Sequence, residues 1–257
     1  MDHHLLIIKQ KENKFLVPSI YLQYVLYIIF YLNIKNKSYI VYKNMNYNIY
    51  ILWTGDNELT QNRLNSIDQL KNVTECNVIL ITKDNLNEYI LSEYPLHPAY
   101  NYLSPVHKSD YLRTYLMHFH GEGYSDIKKT KGSWRKSFDS LYNSDKWIIG
   151  YPEIRGGNAC TVPYNSYNEL IGNCCYICKK NTPFTTEWYN NLINKLNNKL
   201  SELKIYPAKN LRDANTKDNK YPIKWTEILG DIYHPLILKY NNKVMRTLPM
   251  CICINYM

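Results

Sequence analysis

The strongest constraint on this chain is a regular exchange between two hydrophobic periods that begins at residue 47. Residues 47–53 (YNIYILW) form a mostly apolar β run closed by the turn residues Thr54, Gly55 and Asp56. Residues 60–70 have helical spacing through Leu64, Ile67 and Leu70. Residues 77–82 (NVILIT) read as a second buried strand and 86–91 as a short helix. Strand, helix, strand, helix in this order predicts an α/β fold, a mainly parallel sheet covered by helices.

The next helix has its limits written into the sequence. Ser104 can cap it, Pro105 suits the first helical position, and Gly121 can end it in a left-handed conformation. Its core face is Val106, Leu112, Tyr115, Leu116 and Phe119. A short strand at 124–128 follows, then a helix at 133–141 and strands at 147–151 and 176–179. Residues 186–203 form a long amphipathic helix with Trp188, Leu192, Leu196, Leu200 and Leu203 on one side. A polar loop at 212–221 precedes a last helix at 225–233 and a short strand pair. No internal repeat is present.

At 257 residues, 45% of them hydrophobic, the chain can hold one sizeable domain, assigned to 45–257, plus an N-terminal extension at 1–44. Residues 15–34 are uncharged and rich in Ile, Leu, Val and Tyr, about the length of a bilayer span. Pro18, Gln23, Asn33 and four tyrosines dilute that signal, and Lys14 and Lys35 flank both ends, so no orientation can be read. Two readings stand: a membrane anchor at 15–34, or a packed or dispensable extension ahead of Met45. Localisation is accordingly either cytoplasmic or membrane-associated.

A formal charge of +9, from 31 basic and 22 acidic side chains, favours anionic partners. Such partners are nucleic acid, anionic lipid or a phosphorylated small molecule, and as no Lys/Arg block dominates, a nucleic-acid partner is not expected. Of the seven cysteines, Cys174, Cys175, Cys178, Cys251 and Cys253 could be imagined around zinc. The last pair has one intervening residue where structural zinc motifs have two to four. Their apolar neighbours favour buried reduced thiols.

The chemistry is concentrated in residues 108–128, KSDYLRTYLMHFHGEGYSDIK. Asp110 and Arg113 are three apart on the helix and share a face. The chain then turns through Gly121 and Gly123 and delivers Asp126 on a strand. One guanidinium and two carboxylates can thus reach the same strand end, where open α/β sheets bind ligands. Taken alone, an Asp and Arg at this spacing read as a surface ion pair.

The order of these residues resembles the sugar-binding region of a glycosyltransferase superfamily with a DxD motif. Its members include capsular polysaccharide synthesis proteins, yeast-type initiating mannosyltransferases and toxin glucosyltransferases. Their pattern is S-D-x-x-R, an apolar helix, then G-G-x-Y-x-D-x-D; Ser109, Asp110 and Arg113 match the first part, and Gly121, Gly123, Tyr124 and Asp126 much of the second. Upstream, residues 50–55 (YILWTG) look like the family's first strand, and downstream Ile171-Gly172-Asn173 with Asn181-Thr182-Pro183 looks like its I-x-N segment. The resemblance spans about 47–240.

It implies a GT-A-like, Rossmann-like domain that transfers a hexose from a nucleoside diphosphate sugar to a glycan or protein hydroxyl, with retention of configuration. It further implies that Trp53 stacks on the base, Asp110 and Arg113 contact the donor sugar and its phosphate side, and Tyr124 assists the nucleotide. Asp126 would help hold a divalent ion, Mn²⁺ or Mg²⁺, that neutralises the diphosphate leaving group. The sequence departs from the pattern at Lys128, where the family has its second aspartate, and at Glu122, where it has a second glycine. Either Asp126 holds the metal with a distant ligand such as His234, or Lys128 itself supplies positive charge. As a lone residue, His234 also reads as a core or surface histidine. Asn173 reads equally as a contact to a sugar hydroxyl and as a turn residue. The alternative function is a degenerate protein that binds sugar nucleotide or glycan without turnover.

Overall fold

Alternate side chains of a strand face opposite ways, and in the computed structural model both faces of β1 (Asn48–Trp53) are covered. Ile49 and Ile51 enter one core, Tyr50 and Leu52 the other. The structure describes residues 46–154 and 168–254, all within one compact unit, Asn46–Met257. The candidate anchor at 15–34 lies outside the described residues. No helix among the described residues is long and apolar enough to cross a membrane.

After β1 come α1 (Gln61–Val73), β2 (Asn77–Thr82), two 3₁₀ turns (Leu86–Tyr89 and Pro98–Tyr102) and α2 (Pro105–Phe119). Then follow β3 (Glu122–Ser125), β4 (Lys129–Thr130), α3 (Arg135–Tyr142), β5 (Ile148–Pro152) and β6 (Ile171–Cys178). The chain continues through α4 (Pro183–Ile205), α5 (Gly230–Lys239), β7 (Val244–Met245) and β8 (Cys251–Ile252). Among the described residues six strands make one sheet in the order β2-β1-β3-β6-β5-β7, while β4 and β8 pair separately. Within the large sheet only β6 runs against the common direction, antiparallel to both β3 and β5. This is the α/β, mainly parallel sheet between helices that the alternation requires. One core holds the buried face of α4, through Trp188, Leu192 and Leu196, with most of α2; the other holds Trp134, Phe138 and Leu141 at α3.

Several limits differ from the sequence expectation. The last helix starts at Gly230 rather than 225 and continues to Lys239 with Pro235 inside it. Proline inside a helix removes a backbone donor, so sequence pattern alone stops the helix before it. Strand β6 begins five residues earlier than expected, at Ile171, because Gly172 interrupts its pattern. That glycine is required by close approach: a Cβ there would lie 2.0 Å from the Tyr151 ring. Strand β3 ends at Ser125, so Asp126 stands just beyond the sheet rather than on a strand. Its N–H bonds Cys174 O at 2.7 Å, and Lys128 N–H turns back onto Asp126 O at 2.7 Å.

The junction from α2 into β3 uses two consecutive left-handed residues, Gly121 (φ 71°) and Glu122 (φ 70°). The second is unusual for a residue with a side chain, and it explains why a Gly-Gly pair suits this turn. Glu122 is held there by its carboxylate, which accepts the Asn48 N–H at 2.9 Å. A Cβ on Gly121 would meet the Lys180 backbone nitrogen at 2.8 Å. Gly121→Ala is therefore expected to lower stability by ~1–2 kcal/mol from left-handed strain alone. Urea denaturation reads this as a lower midpoint; an unchanged midpoint would refute the constraint.

Candidate functional site

A cleft of about 550 Å³ opens where β1 and β3 end, a volume within the range of small-molecule sites. The end of β1 contributes Trp53, Thr54 and Gly55; the exit of β3 contributes Tyr124, Asp126 and Lys128. Helix α2 adds Asp110 and Arg113, and the start of β6 adds Asn173 and Cys174. Seven of the eight residues singled out in the sequence (Trp53, Asp110, Arg113, Tyr124, Asp126, Lys128, Asn173) line this one cleft.

Helix α2 is aimed by its N-terminus. Ser104 Oγ accepts the His107 N–H, and Pro105 occupies the first turn. Two turns on, Arg113 is buried with its guanidinium pointed across the sheet end. Nη2 lies 3.3 Å from Asp110 Oδ1 and 3.2 Å from Asp126 Oδ1, and Nη1 donates to Asn173 O at 2.8 Å. The guanidinium carbon sits 4.5 Å from the Tyr124 ring centroid. Tyr124 OH donates to Asp126 Oδ1 at 2.9 Å, and Lys128 Nζ reaches Asp126 Oδ2 at 3.0 Å. Two carboxylates thus face two cations.

Burial governs the protonation of these groups. Desolvation raises the Asp110 carboxyl to about 7 despite the Arg113 guanidinium beside it, and the Asp126 charge adds to the rise. Burial alone would depress Lys128, but Asp126 and the Cys174 sulfur outweigh it and hold the ammonium above its ordinary range. Lys128 Nζ also donates to Cys174 Sγ at 3.0 Å. The thiol hydrogen bonds of Cys251 and Cys253, with the Lys128 charge, hold Cys174 below the usual thiol range against the desolvating effect of burial.

The described residues do not make an oxygen-rich divalent site. One oxygen of Asp126 is taken by Tyr124 and Arg113, the other by Lys128. A hard cation with six or more oxygen ligands would displace the Lys128 ammonium and meet the Arg113 guanidinium. His234, the expected distant ligand, does not line the cleft. It is buried on α5 with Nε2 3.6 Å from Glu153 Oε2, because the helix continues past 233 to Lys239 and carries it into the core.

Sequence reasoning passed over three lining residues. Arg63 on α1 lies 5.8 Å from the Trp53 ring centroid and donates to Ile127 O at 2.7 Å. Trp225, 41% exposed, offers a second indole, and Arg212 a further cation. None sits in a local motif; only the fold brings them near Trp53. Cys174 was read as a buried thiol, yet it lines the cleft, and Cys253 is exposed.

No family model and no curated protein matches the sequence. Among solved structures the chain is similar to the PaToxG glycosyltransferase, at 14% identity over 76% of this chain and 69% of that one, with a TM-score of 0.43. A likeness this distant leaves function to be read from the cleft itself.

The raised carboxyl of Asp110 has a measurable consequence for stability. The native state holds this proton more tightly than the unfolded chain, whose value is the ordinary 3.8. The stability so contributed is full below about pH 4 and is lost as pH rises through about 7. Asp110→Asn keeps the neutral shape at every pH. Its Tm relative to the native protein is expected to rise steadily between about pH 4 and pH 8. A pH-independent difference would show that Asp110 is ionised throughout.

Proposed function

We propose that the chain is a glycosyltransferase that moves a hexose from a nucleoside diphosphate sugar to a hydroxyl acceptor on a glycan or protein. The observation that carries this reading is the joining, in one cleft at the strand ends, of a half-buried indole with two cations pinned by carboxylates. Trp53 offers a face for the base, with Arg63 beside the same ring. Arg113 and Lys128 stand where a diphosphate would lie, already desolvated and oriented. Charge that builds on a departing nucleoside diphosphate is best stabilised by donors fixed before the reaction. In this reading Asp126 orients Lys128, Arg113 and the Tyr124 hydroxyl, and Lys128 takes over part of the work that a metal ion does in DxD enzymes. Asn173 and Asp110 flank the sugar. Retention of configuration follows only from the resemblance of residues 109–126 to that family.

A second reading, binding without turnover, is favoured by one feature. Both oxygens of Asp126 are engaged by Tyr124, Arg113 and Lys128, so the cluster is held together without a substrate.

Purified protein given a panel of nucleotide sugars, with Mn²⁺ or with chelator, separates these outcomes by nucleotide release and calorimetric binding. Release is expected to persist in chelator. Lys128→Ala is expected to lower turnover at least roughly tenfold, as loss of a preorganised donor does. Trp53→Ala should weaken nucleotide binding by roughly 1–3 kcal/mol. Binding without release across the panel would establish the second reading. Strict Mn²⁺ dependence unaltered by Lys128→Ala would overturn the role of the lysine.

A further inference from the structure

Three cysteines distant in sequence meet beside the cleft. Cys174 comes from the start of β6, and Cys251 and Cys253 from the segment at β8. The β4–β8 ribbon brings them together: Thr130 pairs with Cys251 and Lys129 with Ile252, so the Cys-x-Cys segment is laid against the residues that follow Lys128. The three sulfurs all lie within 4.8 Å of one another, and those of Cys251 and Cys253 are 3.7 Å apart. No disulfide joins them.

We propose that Cys174, Cys251 and Cys253 form a three-thiolate site for a zinc ion at the edge of the cleft, beside Lys128. Thiolates at 2.3 Å from one zinc ion in tetrahedral array stand about 3.8 Å apart. The 3.7 Å pair already has that spacing, and Cys174 needs to close by about an ångström at most. The donor set is all sulfur, which selects soft or borderline ions over Mg²⁺, Ca²⁺ or Mn²⁺.

Charge is complementary as well. Three thiolates and one Zn²⁺ leave a net charge of −1, and the Lys128 ammonium sits 3.0 Å from Cys174 Sγ to offset it. An N–H donor to a ligating sulfur is the usual outer support of such a site. Any thiol protons still held by these cysteines leave as the ion enters. Cys253 is exposed, so water can reach the fourth position. The bound ion would fasten β8 to β6 and fix Lys128 from the side opposite Asp126. Spacing rules missed it because they look for paired local motifs, and here one ligand comes from a strand some 80 residues away.

Full-length protein, reduced and stripped with chelator, should be titrated with Co²⁺ as a spectroscopic stand-in for zinc. One Co²⁺ per chain is expected, with thiolate-to-cobalt charge-transfer absorption and tetrahedral visible bands, all displaced by Zn²⁺. Zn²⁺ should also raise Tm. Cys253→Ser, at an exposed position, should fold and weaken Co²⁺ binding more than about tenfold, since even loss of an outer partner costs about 10–100-fold. Cys251→Ser should do the same, and Cys76→Ser should leave binding unchanged. The proposal fails if no charge-transfer band appears, or if Cys253→Ser binds Co²⁺ like the native protein.

Discussion

The buried guanidinium of Arg113 is the interaction on which the rest of the site depends. A desolvated cation is tolerated only when its charge and its donors are met, and here the partners come from its own helix, the end of β3 and the start of β6. Asp110 is on the same helix, Asp126 follows β3, Asn173 O is on β6, and the Tyr124 ring lies beneath. One side chain therefore ties α2 to two strands that run in opposite directions. Without it, two carboxylates would be left together in a poorly hydrated cleft. Fold and site share this residue, so its effect on activity cannot be separated from its effect on structure by deletion alone.

The lysine at position 128 changes what that cluster can do. With a second carboxylate in its place, Arg113 would be outnumbered, and a divalent cation would be needed to balance the charge. With Lys128 the balance is reached within the protein. The ammonium also reaches past Asp126 to Cys174, linking the carboxylate cluster to the three sulfurs. One side chain thus links the carboxylate cluster at the end of β3 to the sulfurs of β6 and β8.

Much of this was legible in the sequence because it is local. The alternation in residues 47–82, the Ser104 cap and the Gly121 stop are short-range signals, and the structure has β1, β2 and the limits of α2 where those signals put them. Trp53, Asp110 and Arg113 lie on elements whose direction those signals fix. Tyr124, Asp126 and Lys128 follow the Gly121 turn on or just beyond β3, and Asn173 reads equally as a sugar contact and as a turn residue. What was illegible depends on contacts across the chain. Arg63 and Trp225 enter the cleft only when α1 and the segment before α5 come to line it with Trp53. Pro235 concealed the true extent of α5 and misplaced His234. The thiols of Cys174 and Cys253 were judged by their sequence neighbours, which say little about a cluster assembled from β6 and β8.

The reversed strand explains why both neighbourhoods exist at all. Because β6 is antiparallel to β3, with Ser125 opposite Cys175, its beginning lies at the end where β3 finishes. A parallel strand in that slot would place its last residues there, and Asn173 and Cys174 at the far edge of the sheet. The reversal gives Arg113 its backbone acceptor at Asn173, gives Asp126 its backbone partner at Cys174 O, and gives Lys128 its sulfur. It also requires the close glycine contact at Gly172, since the strand must start flush against Tyr151 on β5. The direction of one strand therefore decides which side chains face the cleft, and the sequence carries that information only in the small residues that allow the strand to lie there.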